Sequence, residues 1–259
     1  MKTSGNTILI TGGSSGIGFE FAKQFLSLGN TVVVTGRDEK KLQKAKAELP
    51  ELHIVTSDVS EPAAIEALCK KALGDFPKLN VLINNAGIMR TINMHEAVSL
   101  ESLTREIDVN LKGPIRMAMA FLPHLKKQDE AAIVNVTSGL AFVPLPTSPV
   151  YCATKAGLHS FSLSLRVQLK NTKVKVFEVA PPATETELLA GMSPADRKGV
   201  SIMKVADMVE ASIRGFEADR PEIRPGQANS LKFMSRVAPD FILKQLSGPM
   251  DRLLAETKN

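Results

Sequence analysis

Short apolar runs rich in β-branched residues recur along the chain, each followed by a longer stretch whose apolar positions repeat at helical spacing. The runs at 7–11, 31–35, 52–56, 81–84, 132–137 and 173–179 are almost continuously apolar instead of alternating. That is the pattern of strands covered on both faces. Helical patterns fill the intervals at 16–28, 38–49, 61–73, about 100–127 and about 149–169. Asp38 and Ser60 stand where N-caps belong, the second with Pro62 close behind, and Gly29 closes the first helix. Such a β-α-β-α order predicts an α/β, doubly wound parallel sheet with helices on both faces, because each crossover is right-handed and covers one face. A ligand crevice then lies beyond the carboxyl ends of the strands. No Ser/Gly-rich linker, charge block or low-complexity tract divides the chain, so residues 1–259 read as a single domain.

Composition narrows the partners. With 259 residues and 44% hydrophobic content the chain buries a self-sufficient core, and collagen, disorder and a disulfide scaffold are excluded. Lys and Arg number 32 against 27 Asp and Glu, a net charge of +5. No Trp and one Tyr leave almost no stacking platform, so no nucleic-acid partner is expected. Two cysteines, Cys69 and Cys152, suit a reducing compartment. No signal-peptide pattern opens the chain and no apolar run is long enough to span a bilayer, so the expectation is a cytoplasmic protein without an integral membrane segment.

The first strand runs into Thr11-Gly12-Gly13-Ser14-Ser15-Gly16-Ile17-Gly18 and then a helix. Glycines let the backbone approach a pyrophosphate whose charge faces the helix N-terminus. The second strand ends in Gly36-Arg37-Asp38. Gly36 has no carboxylate to repel a ribose 2′-phosphate and Arg37 offers a fork of donors matched to one, which favours NADP(H) over NAD(H). Asp38 as an acid for the ribose 2′-hydroxyl is the opposing reading; the helix that starts at Glu39 favours a cap instead. Lys40, Lys41, Lys44 and Lys46 form a solvated face, mildly attractive to an anionic cofactor.

At the chemistry end, Asn84-Asn85-Ala86-Gly87 closes the fourth strand and Ser138 the fifth. Tyr151, the single tyrosine, is followed four residues later by Lys155, on the same helical face. A neighbouring ammonium is expected to lower the phenol toward the working pH range, and the Ser138 hydroxyl to bond a carbonyl oxygen as charge develops. The group suits hydride transfer to a carbonyl with proton donation from Tyr151, or the reverse.

These segments, correctly ordered from about Thr7 to Thr186, resemble the short-chain dehydrogenase/reductase family, and the Gly-x-x-x-Gly-x-Gly spacing resembles its single-domain members. Ser138 to Phe142 and Ala180-Pro181-Pro182 are similar to a subgroup named after an oxidoreductase of the lipoteichoic-acid D-alanylation operon. The resemblance implies Rossmann strand order with about seven strands. It implies Tyr151 as acid/base, Ser138 orienting the carbonyl, Lys155 on the nicotinamide ribose, and Asn110 supporting a water relay. It implies cofactor contacts from Gly12, Ser14, Ser15, Gly16, Ile17, Gly18, Arg37, Asp58, Val59, Asn85, Ala86, Gly87, Val109, Tyr151, Lys155, Pro181, Thr184 and Thr186. Pro182 stands where the family has Gly, a departure that removes a backbone donor. The family also implies a homodimer or homotetramer through helices 100–127 and 149–169.

Segments 139–149, 88–98 and 187–203 are expected to line the substrate site, the last as a substrate loop. Leu140, Phe142, Val143, Leu145, Met89, Met94, Met192 and Met203 suggest a medium-sized apolar ketone, aldehyde or secondary alcohol. Residues 229–259 form a C-terminal helical extension, amphipathic over 230–254, docked on this subunit or a partner in preference to a membrane, with Pro239 and Pro249 against one continuous helix. His53, His95, His124 and His159 show no ligand spacing, so no metal is expected. A catalytically silent NADP(H)-binding regulatory or scaffold protein of the same fold is the alternative.

Overall fold

The computed structural model describes residues 1–190 and 201–256. Seven parallel strands form one sheet in the order β3-β2-β1-β4-β5-β6-β7. They are β1 (Thr7–Thr11), β2 (Thr31–Gly36), β3 (His53–Thr56), β4 (Leu79–Asn84), β5 (Ala131–Val136), β6 (Val174–Val179) and β7 (Glu222–Ile223). The order reverses direction between β1 and β4, which opens the crevice at their carboxyl ends. The two residues of β7 are too short to carry a strand pattern and follow from no periodicity.

Alternate residues of each strand serve opposite cores. Ile8, Ile10, Val32 and Val34 face α1 (Gly16–Ser27), α2 (Glu39–Glu48) and α8 (Val205–Glu217). Leu9, Val33, Leu82 and Ile133 face α3 (Pro62–Asp75), α5 (Gly113–Leu125) and α6 (Pro149–Gln168). Phe21, Phe25 and Phe216 stack with ring centroids 6.0, 6.3 and 6.5 Å apart, each worth about 2–3 kcal/mol of burial. This two-sided cover is why the strands read as unbroken apolar runs.

Two local expectations are corrected. Ser60 does not cap α3; its N–H and hydroxyl both bond Asp58 Oδ1, and Glu61 precedes the helix without a side-chain cap. The helix expected over 100–127 is α4 (Leu100–Ile107), a π-helical turn (Asp108–Lys112) and α5. Pro114 has no N–H for the Asn110 carbonyl four residues earlier, and its ring crowds that carbonyl, so the turn widens there. Asp38 does cap α2, accepting the Lys41 N–H at 3.1 Å.

After α7 (Glu187–Ala190) and α8, the chain ends in α9 (Ala228–Val237) and α10 (Pro239–Glu256). The break falls at Ala238, before Pro239, while Pro249 is carried inside α10 at the cost of a backbone hydrogen bond. A polar cluster ties α9 to the sheet. Lys232 Nζ bonds both Glu222 oxygens at 2.5 and 2.6 Å and lies 4.9 Å from the centre of the Phe142 ring. Phe142 packs edge-on against His159, whose Nδ1 lies 2.8 Å from the buried Glu178 carboxylate. Ligand atoms of His159, Glu178 and Glu222 lie within 4.8 Å of one another, a proximity no sequence spacing reveals, but Lys232 and Arg224 already neutralise Glu222. Among the described residues no helix is long and apolar enough to cross a membrane.

Candidate active site

A cleft of about 1230 Å³ lies across the carboxyl ends of the strands. Its floor is the turn after β1, where Gly12 and Gly16 hold φ of 65° and 56°, conformations that disfavour any side chain. A Cβ on Gly12 would sit 2.8 Å from Ala86 Cα. The turn is latched to the end of β4: Thr11 Oγ1 accepts the N–H groups of Asn85 and Ala86 at 3.0 and 3.1 Å. Asn85 Nδ2 donates to the carbonyls of Thr11 and Gly12, both at 3.0 Å.

Every residue that the resemblance assigned to the cofactor lines this cleft except Gly18. Gly18 instead packs beneath the turn, where a Cβ would meet Gly12 O at 2.4 Å and Asn85 Nδ2 at 2.5 Å. Neither neighbour can yield without breaking the latch. Gly18→Ala is therefore expected to lower stability by about 2–3 kcal/mol in denaturant unfolding and to abolish dinucleotide binding in calorimetry.

The adenosine end of the cleft carries Gly36, Arg37 and Asp58. Burial acts to raise the Asp58 carboxyl, but the two Ser60 donors and the Arg37 and Arg105 charges together hold it below the usual carboxylate range. Lys41 also lines the cleft, its ammonium 3.0 Å from Glu187 of α7. The glycine cradle, the helix N-terminus behind Ser15 and this basic corner fit a dinucleotide: backbone for a pyrophosphate, Arg37 and Lys41 for a phosphorylated ribose.

At the opposite end, Ser138 leaves β5 with extended backbone and its Oγ accepts the Leu140 N–H at 3.1 Å. Tyr151 and Lys155, both buried on α6, share the wall with it. Lys155 Nζ donates to Val136 O at 2.9 Å and lies 5.7 Å from the centre of the phenol ring. The expectation that this ammonium brings the phenol toward neutrality is corrected. Burial pushes Tyr151 up to about 12, against the Ser138 hydroxyl that favours its ionisation, and pulls Lys155 down to about 8. Desolvation acts on both charged forms and outweighs their attraction at this separation.

Asn110 does not line the cleft. Within the π turn it is fully buried, donating to Ile88 O at 2.8 Å and to Thr154 Oγ1 at 3.2 Å while accepting the Ile88 N–H at 2.9 Å. Pro182 is accommodated: the carbonyl of Pro181 accepts the Gly139 N–H at 2.8 Å and that of Pro182 accepts the Thr184 hydroxyl at 2.9 Å.

Of the expected substrate-site residues, Leu140, Leu145 and Met89 wall the cleft. Phe142 packs on His159, Val143 is core, Met94 is exposed and Met203 joins the main core, while Met192 and residues 191–200 of the expected loop lie outside the described residues. Leu231, Ile242 and Leu246 of α9 and α10 also line the cleft, a role the sequence reading missed. Their helical spacing was visible, but the surface they cover was not.

The comparisons with known proteins agree with this geometry. The family model for short chain dehydrogenases matches residues 6–197. The chain is 44% identical over 250 residues to the uncharacterized oxidoreductase DltE of Bacillus subtilis, covering 95% of this chain and 98% of that one. A short chain dehydrogenase/reductase from Burkholderia phymatum in complex with NAD superposes with a TM-score of 0.83 at 25% identity, covering 95% and 96% of the two chains. A short chain dehydrogenase from Burkholderia cenocepacia in complex with NADP gives 0.82 at 26% identity, covering 95% and 99%. A glycine cradle latched to β4, the Ser138, Tyr151 and Lys155 wall opposite it, and matches that span nearly the whole chain place this protein in the short-chain dehydrogenase family.

Proposed function

We propose that this oxidoreductase is NADP(H)-dependent and interconverts a medium-sized apolar ketone or aldehyde with its alcohol, Tyr151 supplying or taking the proton. The observation that carries the reading is the chain's single phenol, buried on the wall of one continuous cleft with the Ser138 hydroxyl, opposite a basic, glycine-floored corner. A bound nicotinamide would supply or accept the hydride. The residues that would hold its dinucleotide are those of the cradle, with Arg37 and Lys41 at the ribose phosphate.

The chain's own groups divide the remaining work. Because Ser138 Oγ accepts the Leu140 N–H, its own proton is free to bond a carbonyl oxygen in the cleft. Tyr151, ionising only near 12, stays protonated at neutral pH and gives its proton to the far more basic alkoxide that forms. Lys155 stands ready to compensate the resulting phenolate. Leu145, Met89, Leu140 and Leu246 pack beside Tyr151 and keep water from the reacting centre.

Support for NADP(H) is Gly36 with Arg37 at the end of β2 and the use of Asp38 as a helix cap. Of the similar structures one holds NAD and another NADP. Turnover of a carbonyl panel with NADPH and NADH in parallel tests both halves of the proposal. Arg37→Ala is expected to reduce kcat/KM for NADPH by about 10- to 100-fold, the worth of a charge-assisted contact, with NADH unaffected. Equal loss with both cofactors, or activity confined to charged sugars, would contradict it.

Met119 on α5 and Leu163 and Val167 on α6 are exposed apolar side chains on the helices expected to pair two subunits. This supports a cytoplasmic homodimer or homotetramer, checked by light scattering; a monomer would count against it.

A further inference from the structure

The loop leaving β4 is gripped by two side chains of the neighbouring helix. Asn110 bonds the N–H and carbonyl of Ile88, and four residues earlier the Glu106 carboxylate accepts the Arg90 N–H at 3.0 Å. Residues 88 and 90 are thus held at alternate positions, as a strand partner would hold them, while Ile88 and Met89 wall the cleft. Glu106 is fully buried. The Arg90 guanidinium turns back to α4, donating to Ser102 Oγ at 2.9 Å and to the carbonyls of Ser102 and Leu103. It is committed there, with Nη2 3.8 Å from Glu106 Oε2, and among the described residues that oxygen has no hydrogen-bond partner. A buried carboxylate with one oxygen unmet is costly, and an apolar side chain would fill the space without that cost. α4 packs against α6, the helix of Tyr151 and Cys152.

We propose, resting on Tyr151 as the acid of the reaction, that Glu106 is a positioning residue. One carboxylate oxygen fixes the backbone of the loop that walls the cleft, and the charge on the other opposes ionisation of the Tyr151 phenol. The groups facing that phenol are Lys155 and Cys152 from α6, Ser138 from the end of β5 and Glu106 from α4. Burial is the largest influence on both Tyr151 and Cys152, and Glu106 pushes each further up. Burial also raises Glu106 itself, against the Arg90 N–H and charge, yet a carboxyl is ionised throughout the alkaline range where a phenol titrates. Lys155 alone opposes it, and that amine is bonded to Val136 O. The arrangement holds the phenol in its donating form and biases the site toward carbonyl reduction.

The chain has one tyrosine and no tryptophan, so the near-ultraviolet absorbance of tyrosinate reads Tyr151 alone, without cofactor or substrate. Glu106→Gln keeps an acceptor for the Arg90 N–H and removes only the charge. It is expected to raise the acid dissociation constant of the phenol by about tenfold, while circular dichroism shows the fold retained across the titration. The alkaline limb of alcohol oxidation should move by the same factor. Where Glu106→Gln does not fold, Glu106→Met, which packs without a charge, is expected to give the same titration change. An unchanged tyrosinate titration in a folded variant overturns the proposal. A shifted titration in a protein that reduces no carbonyl would fault the catalytic reading of Tyr151 and leave the electrostatic role of Glu106 supported.

Discussion

Tyr151→Phe is expected to reduce turnover by about 10³-fold while dinucleotide affinity stays within about threefold of wild type. The substitution removes one hydroxyl from a buried ring that otherwise fills the same space, so the Leu145 and Cys152 packing survives. The Ser138 hydroxyl keeps its Leu140 N–H donor and loses only its neighbour across the cleft. Cofactor binding depends on the latched turns after β1 and β4, which the ring does not support. Stopped-flow transfer from NADPH to a competent ketone, beside fluorescence titration with NADPH alone, separates the two quantities. A silent cofactor-binding protein would show no turnover before or after the change; unchanged turnover in an active enzyme would remove Tyr151 from the chemistry. With the phenol ionising near 12, reduction in the wild type should hold between pH 6 and 8, whereas alcohol oxidation, which needs the phenolate, should climb toward alkaline pH.

Some of this site was legible from residue order and some was not. Glycines, strand-end Ser138 and the Tyr151–Lys155 spacing are local features, and a parallel sheet converts local order into a common edge. The two-faced strands were legible for the same reason: burial on both sides leaves an unbroken apolar run. What failed was any inference needing a distance or a dielectric. Four residues along a helix put Lys155 and Tyr151 on one face, yet the sequence contains nothing about the depth of that face. Depth raises the phenol instead of lowering it. Glu106 read as an ordinary charged residue of an amphipathic helix, because only the fold shows that its turn faces inward. Leu231, Ile242 and Leu246 were recognisable as an apolar stripe, but a stripe does not name what it covers. Asn110 was legible as a buried helix asparagine; the π turn that aims it comes from Pro114, four residues away.

The burial that raises the phenol makes a second, opposite-signed demand on the amine. Lys155 ionises near 8 in the folded chain against a model value of 10.5, so below pH 8 the native state carries a buried ammonium at a cost of about 3 kcal/mol. Between about 8 and 10.5 the unfolded chain binds the extra proton, and stability therefore rises with pH across that window; it is lost as pH falls through 8. Tyr151 runs the other way, its raised value making stability decline between 10 and about 12. Lys155→Met removes the first slope. The variant should be about 1–2 kcal/mol more stable than wild type at pH 7, after subtracting the hydrogen bond to Val136 O, with the gain fading toward pH 10. Turnover should nevertheless fall by about 10²- to 10³-fold, because nothing then compensates the phenolate left by proton transfer. Urea unfolding at pH 7 and 10, paired with steady-state kinetics, reads both signs in one variant. A protein that gains stability as it loses activity is the mark of an amine held charged at the expense of the fold; loss of both together would show Lys155 to be a packing residue.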